Sequence, residues 1–191
     1  MRGILGLLLL CAMVALIPAG GSSRDSRSIL LRVSDWETYL RPIAGPNNVG
    51  NCLIVYTDGR LRLQLRRQEF FRGKANYSTY EGALSKQDLA SLYAILDDGN
   101  VRKLPELRLP KLPLASAHFE WFTAEIYREG SVQKVGYSAW EGEPRPSEDE
   151  RSAWQDQRVA LQPLVQWSRG VKSFDDAAWR QTQNANSVCQ P

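Results

Sequence analysis

The stretch LIVYTDGRLRLQLRR, residues 53–67, decides the fold class. Its first five residues are aliphatic, aromatic or β-branched, types that fill a pleated, half-buried surface. Asp58-Gly59 then supplies the positive φ angles of a two-residue type I′ turn, so the chain is expected to double back as a β-hairpin. In the returning half, Leu61, Leu63 and Leu65 alternate with Arg60, Arg62, Gln64 and Arg66. Successive strand side chains point to opposite faces, so the leucines form a face to bury and the arginines a face for solvent or a partner.

Downstream, a third strand is expected over 75–80. Ser85 then caps a helix, with Asp88 complementing the dipole of its first turn. Leu89, Leu92, Tyr93 and Leu96 share one apolar face at i, i+3, i+4 and i+7, and Gly99 reads as the stop. Residues 104–114 (LPELRLPKLPL) carry three prolines, which suit neither a helix interior nor a central strand. They predict an extended, polyproline-like run against the domain. An aromatic strand over 118–127 turns at Glu129-Gly130 into 132–137, a second hairpin. Ser147-Glu148-Asp149-Glu150 is a capping box for a long helix. Trp154, Leu161, Leu164 and Val165 form its inner face, and Pro163 is expected to kink or restart it.

Upstream, 29–33 reads as an edge strand, and Trp36, Tyr39 and Leu40 as the start of a short helix after Ser34 or Asp35. Residues 41–50 hold two Pro, two Gly and two Asn and read as a loop. These elements predict an α+β fold, an antiparallel sheet built from two hairpins with helices packed on one face.

Composition bounds the rest. Of 191 residues 43% are hydrophobic and 24% charged, values of an ordinary globular chain with enough length for a core. They exclude a disordered chain, a collagen-like repeat and a multi-span membrane protein. The N-terminus carries a basic Met1-Arg2-Gly3, an uncharged apolar run over 4–17, Pro18, and small residues from Ala19 to Ser22. That is the pattern of a secretory signal peptide cleaved near Ala19 to Gly21. The run is shorter than the roughly 20 residues of a spanning helix, so an uncleaved anchor is the second reading, and no stable membrane span is expected after cleavage. Cys11 lies mid-run, out of place for a lipid anchor. The domain map is therefore a signal peptide at 1–21, a flexible mature N-terminus at 22–28, a single α+β domain at 29–170, and a C-terminal tail at 171–191.

Cleavage removes Arg2, so 24 Lys+Arg become 23 against 21 acids, a net +2 that gives no reason to expect nucleic acid. It also removes Cys11, leaving Cys52 and Cys189. Two cysteines in an oxidising compartment commonly pair, and such a bridge contributes roughly 4 kcal/mol in the chain-entropy model. Two separate thiols are the alternative.

Catalytic chemistry finds little footing. His118 is the only histidine, there is no G-x-S-x-G, and Ser131 and Lys134 fall on a strand, where an odd spacing sends them to opposite faces. Glu120 and Glu125 are split across faces in the same way, which disfavours a glycosidase pair. Metal-ligand spacing and phosphate-binding glycine loops are missing from the sequence, so no cofactor, metal or catalytic residue is assigned. Two surface features remain: a candidate anion-binding face of Arg60, Arg62 and Arg66, and Trp140 as a candidate exposed aromatic contact. They suggest an anionic envelope component or another envelope protein as partner.

The sequence Cys52 to Gly59, followed by Leu84-Ser85 with Leu89, Leu92 and Leu96, resembles a group of small exported bacterial domains of unknown function. The likeness spans about residues 50–138, with Leu53 where those domains often have Pro. It implies envelope localisation and no known catalytic residue. The expectation is an exported, periplasmic or secreted, non-enzymatic domain acting by surface binding. The alternatives are a secreted hydrolase using scattered carboxylates and an inhibitor or structural partner of an envelope protein.

Overall fold

A computed structural model describes residues 28–39, 48–68, 75–107, 115–143, 147–171 and 180–182. Residues 1–27, which include the expected signal peptide and flexible N-terminus, Cys189, Trp179 and the proline-rich residues 108–114 lie outside them. The strands are β1 (Ile29–Tyr39), β2 (Asn48–Tyr56), β3 (Arg60–Gln68), β4 (Asn76–Ala83), β5 (Ala115–Arg128), β6 (Ser131–Glu143) and β7 (Arg180–Thr182). The helices are α1 (Lys86–Leu96), α2 (Gly99–Arg102) and α3 (Glu148–Gly170). All strand pairs are antiparallel, in the order β6-β5-β1-β2-β3-β4-β7, so the fold is α+β.

Both expected hairpins form. Glu129-Gly130 makes a two-residue turn between the paired Arg128 and Ser131, with Gly130 at φ 75°. The Asp58-Gly59 turn is one residue longer than expected: Thr57 to Gly59 connect the strands, and Gly59 takes φ 84°. A three-residue connection ending in a left-handed glycine is the next commonest hairpin solution.

Other expectations are corrected. The strand at 29–33 is not an edge, because β1 lies between β5 and β2. The short helix at Trp36 does not form, because β1 runs on through Tyr39, paired with β2 as far as Thr38 and with β5 as far as Tyr39. Three aromatic or aliphatic residues at helical spacing carry less weight than two ladders of backbone hydrogen bonds. The strand β2 begins at Asn48, inside the expected loop. Gly99 does not stop α1. That role falls to Asp97, and Gly99 opens α2 behind the Asp98 cap, whose side chain accepts from the Asn100 amide. Pro163 does not restart α3, which continues through it for 23 residues. Residues 180–182, expected in the tail, add a seventh strand against β4.

Ser85 caps α1 by accepting from the Asp88 amide, and Ser147 and Glu150 close the full capping box of α3. The register sorts strand residues onto two faces. The first carries Leu31 and Val33 of β1, Leu53 and Val55 of β2, Leu61 and Leu63 of β3, Phe122, Ala124 and Ile126 of β5, and Val135 and Tyr137 of β6. All are buried in one cluster with Leu92 and Leu96 of α1, Val101 of α2, and Leu161, Leu164 and Val165 of α3. The alternating leucines of β3 thus enter the core, as the hairpin pattern requires, with Leu65 packed at its margin.

Candidate functional site

The second face is laid out in rows that cross the sheet, because paired residues on adjacent strands share a side. One row runs Glu81, Arg62, Ile54, Arg32, Glu125, Lys134. It is a ladder of ion pairs: Arg62–Glu81 at 2.8 Å, Arg32–Glu125 at 3.1 Å and Lys134–Glu125 at 3.3 Å. Burial pushes the Glu125 carboxyl up. Hydrogen bonds from Tyr127 and Lys134 and the charges of Arg32 and Lys134 outweigh it, holding the group below the usual carboxylate range.

The next row is neutral and polar: Thr79, Gln64, Cys52, Ser34, Thr123. Thr79, Gln64 and Cys52 are buried, and Gln64 Nε2 donates to Thr79 Oγ1 at 3.1 Å. Cys52 is not without a partner, and Cys189 is outside the described residues.

The third row is aromatic at its centre: Tyr77, Arg66, Gly50, Trp36, Trp121, Ser138. Trp36 and Trp121 are half-buried neighbours on β1 and β5, with ring centroids 5.7 Å apart and planes tilted by 36°. Phe119 meets Trp121 edge-on at 4.8 Å and faces Trp140 at 6.4 Å, and Trp140 reaches Trp154 of α3 at 4.8 Å. On the other side the Arg66 guanidinium lies over the Trp36 ring, 5.0 Å from its centroid. Gly50 makes this arrangement possible: a Cβ there would stand 2.6 to 2.9 Å from three atoms of the Trp36 ring.

The residues singled out by sequence fare differently. Arg60 is exposed and bound to Asp58 at 2.6 Å, Arg62 is tied to Glu81, and Arg66 is engaged by Trp36 and by Gln68 at 2.8 Å. The three share the second face, with internal partners for each. Trp140 is half-buried between Phe119 and Trp154. Trp154 and Trp167 pack against the core, as their helical positions suggest. The indoles that sequence reasoning passed over are Trp36 and Trp121. Alternation in β5 puts Phe119 and Trp121 on one side, but their meeting with Trp36 needs the β1–β5 register.

The carboxylates gather on the first face, beyond the apolar core. Arg169 Nε and Nη2 donate to Asp35 at 2.8 and 3.1 Å, and Nη2 also reaches Glu120 at 3.1 Å. Arg158 lies 3.6 Å from Glu120 and over the Tyr137 ring. The hydrogen bond to Asp35 raises the Arg169 guanidinium further above its ordinary value, locking its charge. Burial pushes the Tyr137 phenol up to about 12, with the Glu120 charge adding to the shift. His118 Nε2 sits 3.0 Å from Glu37 Oε1, its ring stacked on Tyr39 at 4.4 Å. Asp35 and Glu120 are thus brought together, with an arginine between them rather than open space. A groove of about 320 Å³ beside α3 is lined by Tyr137, Arg158, Arg169 and glutamines, with no carboxylate among the described residues of its wall.

Among the described residues no three His, Cys, Asp or Glu side chains gather as metal ligands, and no helix is long and apolar enough to cross a membrane. Compared with known proteins, the chain matches no family and no curated sequence.

Proposed function

We propose that this is an exported, periplasmic or secreted, non-enzymatic domain, and that the second sheet face is its binding surface. In this reading both long helices cover the first face, and the platform around Trp36 and Trp121 takes a neutral or weakly anionic polysaccharide chain of the cell envelope. The observation that carries it is the pair of half-buried indoles 5.7 Å apart in adjacent strands. Flat apolar ring faces bordered by hydrogen-bonding side chains suit sugar rings, which present C–H on their faces and hydroxyls at their edges. The arginines favour a sugar over a strong polyanion, because Arg60, Arg62 and Arg32 already bind Asp58, Glu81 and Glu125. The Asp35–Arg169–Glu120 cluster supports a non-enzymatic reading: it has the form of an ion-pair staple between α3 and the sheet.

Retention of the purified mature domain on insoluble envelope polysaccharide, followed by tryptophan fluorescence, tests the platform. Trp36→Ala and Trp121→Ala are each expected to weaken retention at least tenfold, while charge reversal of exposed Arg60 leaves it within twofold. Undiminished retention in folded Trp variants sinks the carbohydrate reading, and strong salt sensitivity with loss on reversing Arg60, Arg62 and Arg66 moves the site to a polyanion. The intact mass of the protein from its native compartment tests export, which requires loss of residues up to Ala19–Gly21.

A further inference from the structure

A flank of α3 that the sheet-face platform does not use carries a repeating set of donors. Arg151, Gln155, Arg158, Gln162, Gln166 and Arg169 follow one another at intervals of three or four residues. Those intervals keep them on one side of the helix, over about 27 Å at 1.5 Å per residue. Each side chain ends in N–H donors, and no acid falls among them. The flank faces β6. A groove of about 320 Å³ runs along it from Gln155 to Arg169 against Tyr137. A second, of about 240 Å³, shares Tyr137, Gln155 and Arg158 and extends to Arg151, Trp140 and Trp154. Neither wall holds a carboxylate among the described residues.

The cations are unequally committed. Arg169 is fixed by Asp35 and Glu120. Arg158 is half exposed and lies 3.6 Å from Glu120, a carboxylate it shares with Arg169. Arg151 is exposed, and its guanidinium makes no bond among the described residues. Burial keeps the Tyr137 phenol protonated at neutral pH, so it adds one more donor. The groove also joins the platform. Trp121 meets Phe119, Phe119 faces Trp140, and Trp140 reaches Trp154, in centroid steps of 4.8, 6.4 and 4.8 Å. Since β6 is the outermost strand on that side, the rings lead from Trp36 and Trp121 around the sheet edge to the arginines of α3.

We propose that the groove between β6 and α3 is an acid-group subsite: Arg151 and Arg158 take a carboxylate or phosphate carried on a sugar unit that packs on Trp140 and Trp154. This subsite rests on the polysaccharide reading above and adds the charge of the chain. Two guanidiniums, one of them shared with Glu120, match a single acid group better than a dense polyanion. The glutamines further along the flank offer donors and acceptors to the hydroxyls of the next units.

The purified protein is titrated calorimetrically with a uronic acid oligosaccharide, with the same oligosaccharide after its carboxyls are reduced to hydroxymethyl groups, and with a hexose and its phosphate. The acid form should bind roughly tenfold more tightly than the reduced form, as one charge-assisted contact predicts. Arg151→Gln and Arg158→Gln, each folded by circular dichroism, should remove most of that preference while leaving the reduced form within about twofold. A preference for the hexose phosphate over the hexose, lost in the same variants, also supports the subsite and identifies phosphate as its acid group. Equal affinity for charged and uncharged probes overturns it, as does a preference that survives in the folded double variant. The two readings fail separately. Binding that needs Trp36 and Trp121 but ignores the acid group keeps the platform and removes the subsite. An acid preference that needs both arginines but neither indole keeps the subsite and removes the platform, and no binding of any probe removes both.

Discussion

Trp36 shows how much of a surface hangs on a neighbouring residue with no side chain. Its ring occupies the space a Cβ would fill at Gly50, with the Arg66 guanidinium over it. Gly50→Ala must shift either an indole or a central strand, and is expected to cost roughly 1–3 kcal/mol in urea unfolding. In a Trp36→Ala background the same change should cost much less, a coupling that a double-mutant cycle measures. Tyr137 makes a different prediction. Its phenol titrates at about 12 in the fold against 10.0 ordinarily. A raised folded value means the unfolded chain releases this proton first. The stability tied to the neutral phenol is therefore complete below pH 10 and is lost as the pH climbs from 10 toward 12. Tyr137→Phe should flatten that alkaline loss, seen by comparing denaturation midpoints on either side of pH 10.

The elements divide into those set locally and those set by their neighbours. The α3 start is local: Ser147 and Glu150 satisfy each other's backbone amides, and three acids occupy the first turn. Ser147→Ala should cost about 1 kcal/mol, read as a lower denaturation midpoint. β3 is equally local, since strict alternation over Arg60 to Arg66 leaves one solution for a half-buried strand. β1 is the opposite case. Trp36, Tyr39 and Leu40 satisfy a helical spacing, yet Trp36 and Tyr39 lie on opposite faces of a strand whose hydrogen bonds go to β2 and β5. The fate of a short amphipathic stretch in the middle of a sheet is decided by partners some 15 and 85 residues away. Pro163 likewise removes one hydrogen bond from α3, and tertiary burial of Leu161, Leu164 and Val165 outweighs that loss.

At the scale of the whole molecule, a long-range polar tie joins the C-terminal end of α3 to the sheet. Arg169 grips Asp35, 134 residues away, through two hydrogen bonds and shares Glu120 with Arg158. Asp35 is buried, so Asp35→Ala leaves a cation facing a second carboxylate with less than its full partner set. Because Arg169 is half exposed, water screens part of the loss. We expect destabilisation of roughly 1–3 kcal/mol, smaller in high salt, measured by denaturant unfolding at two ionic strengths. The same tie sets a guanidinium between Asp35 and Glu120, so that both carboxylates are bonded to Arg169.

Both hairpins, the two caps, the leucine face of β3 and the assignment to an antiparallel α+β fold were legible in the sequence, because each depends on residues within a few positions of one another. Alternation, turn glycines and capping side chains act through local backbone geometry. The proposed binding surface was legible only in pieces. Arg66, Trp36 and Trp121 were visible as residue types, and Trp140 drew notice for the loop beside it. Their placement as neighbours depends on strand order and on register, where a slip of one residue would send Trp36 to the other face. That choice is made by the burial of Leu31, Val33, Leu53 and Val55 in one cluster with Leu92, Leu96, Leu161 and Leu164, which fixes which side chains are left to the opposite face of each strand.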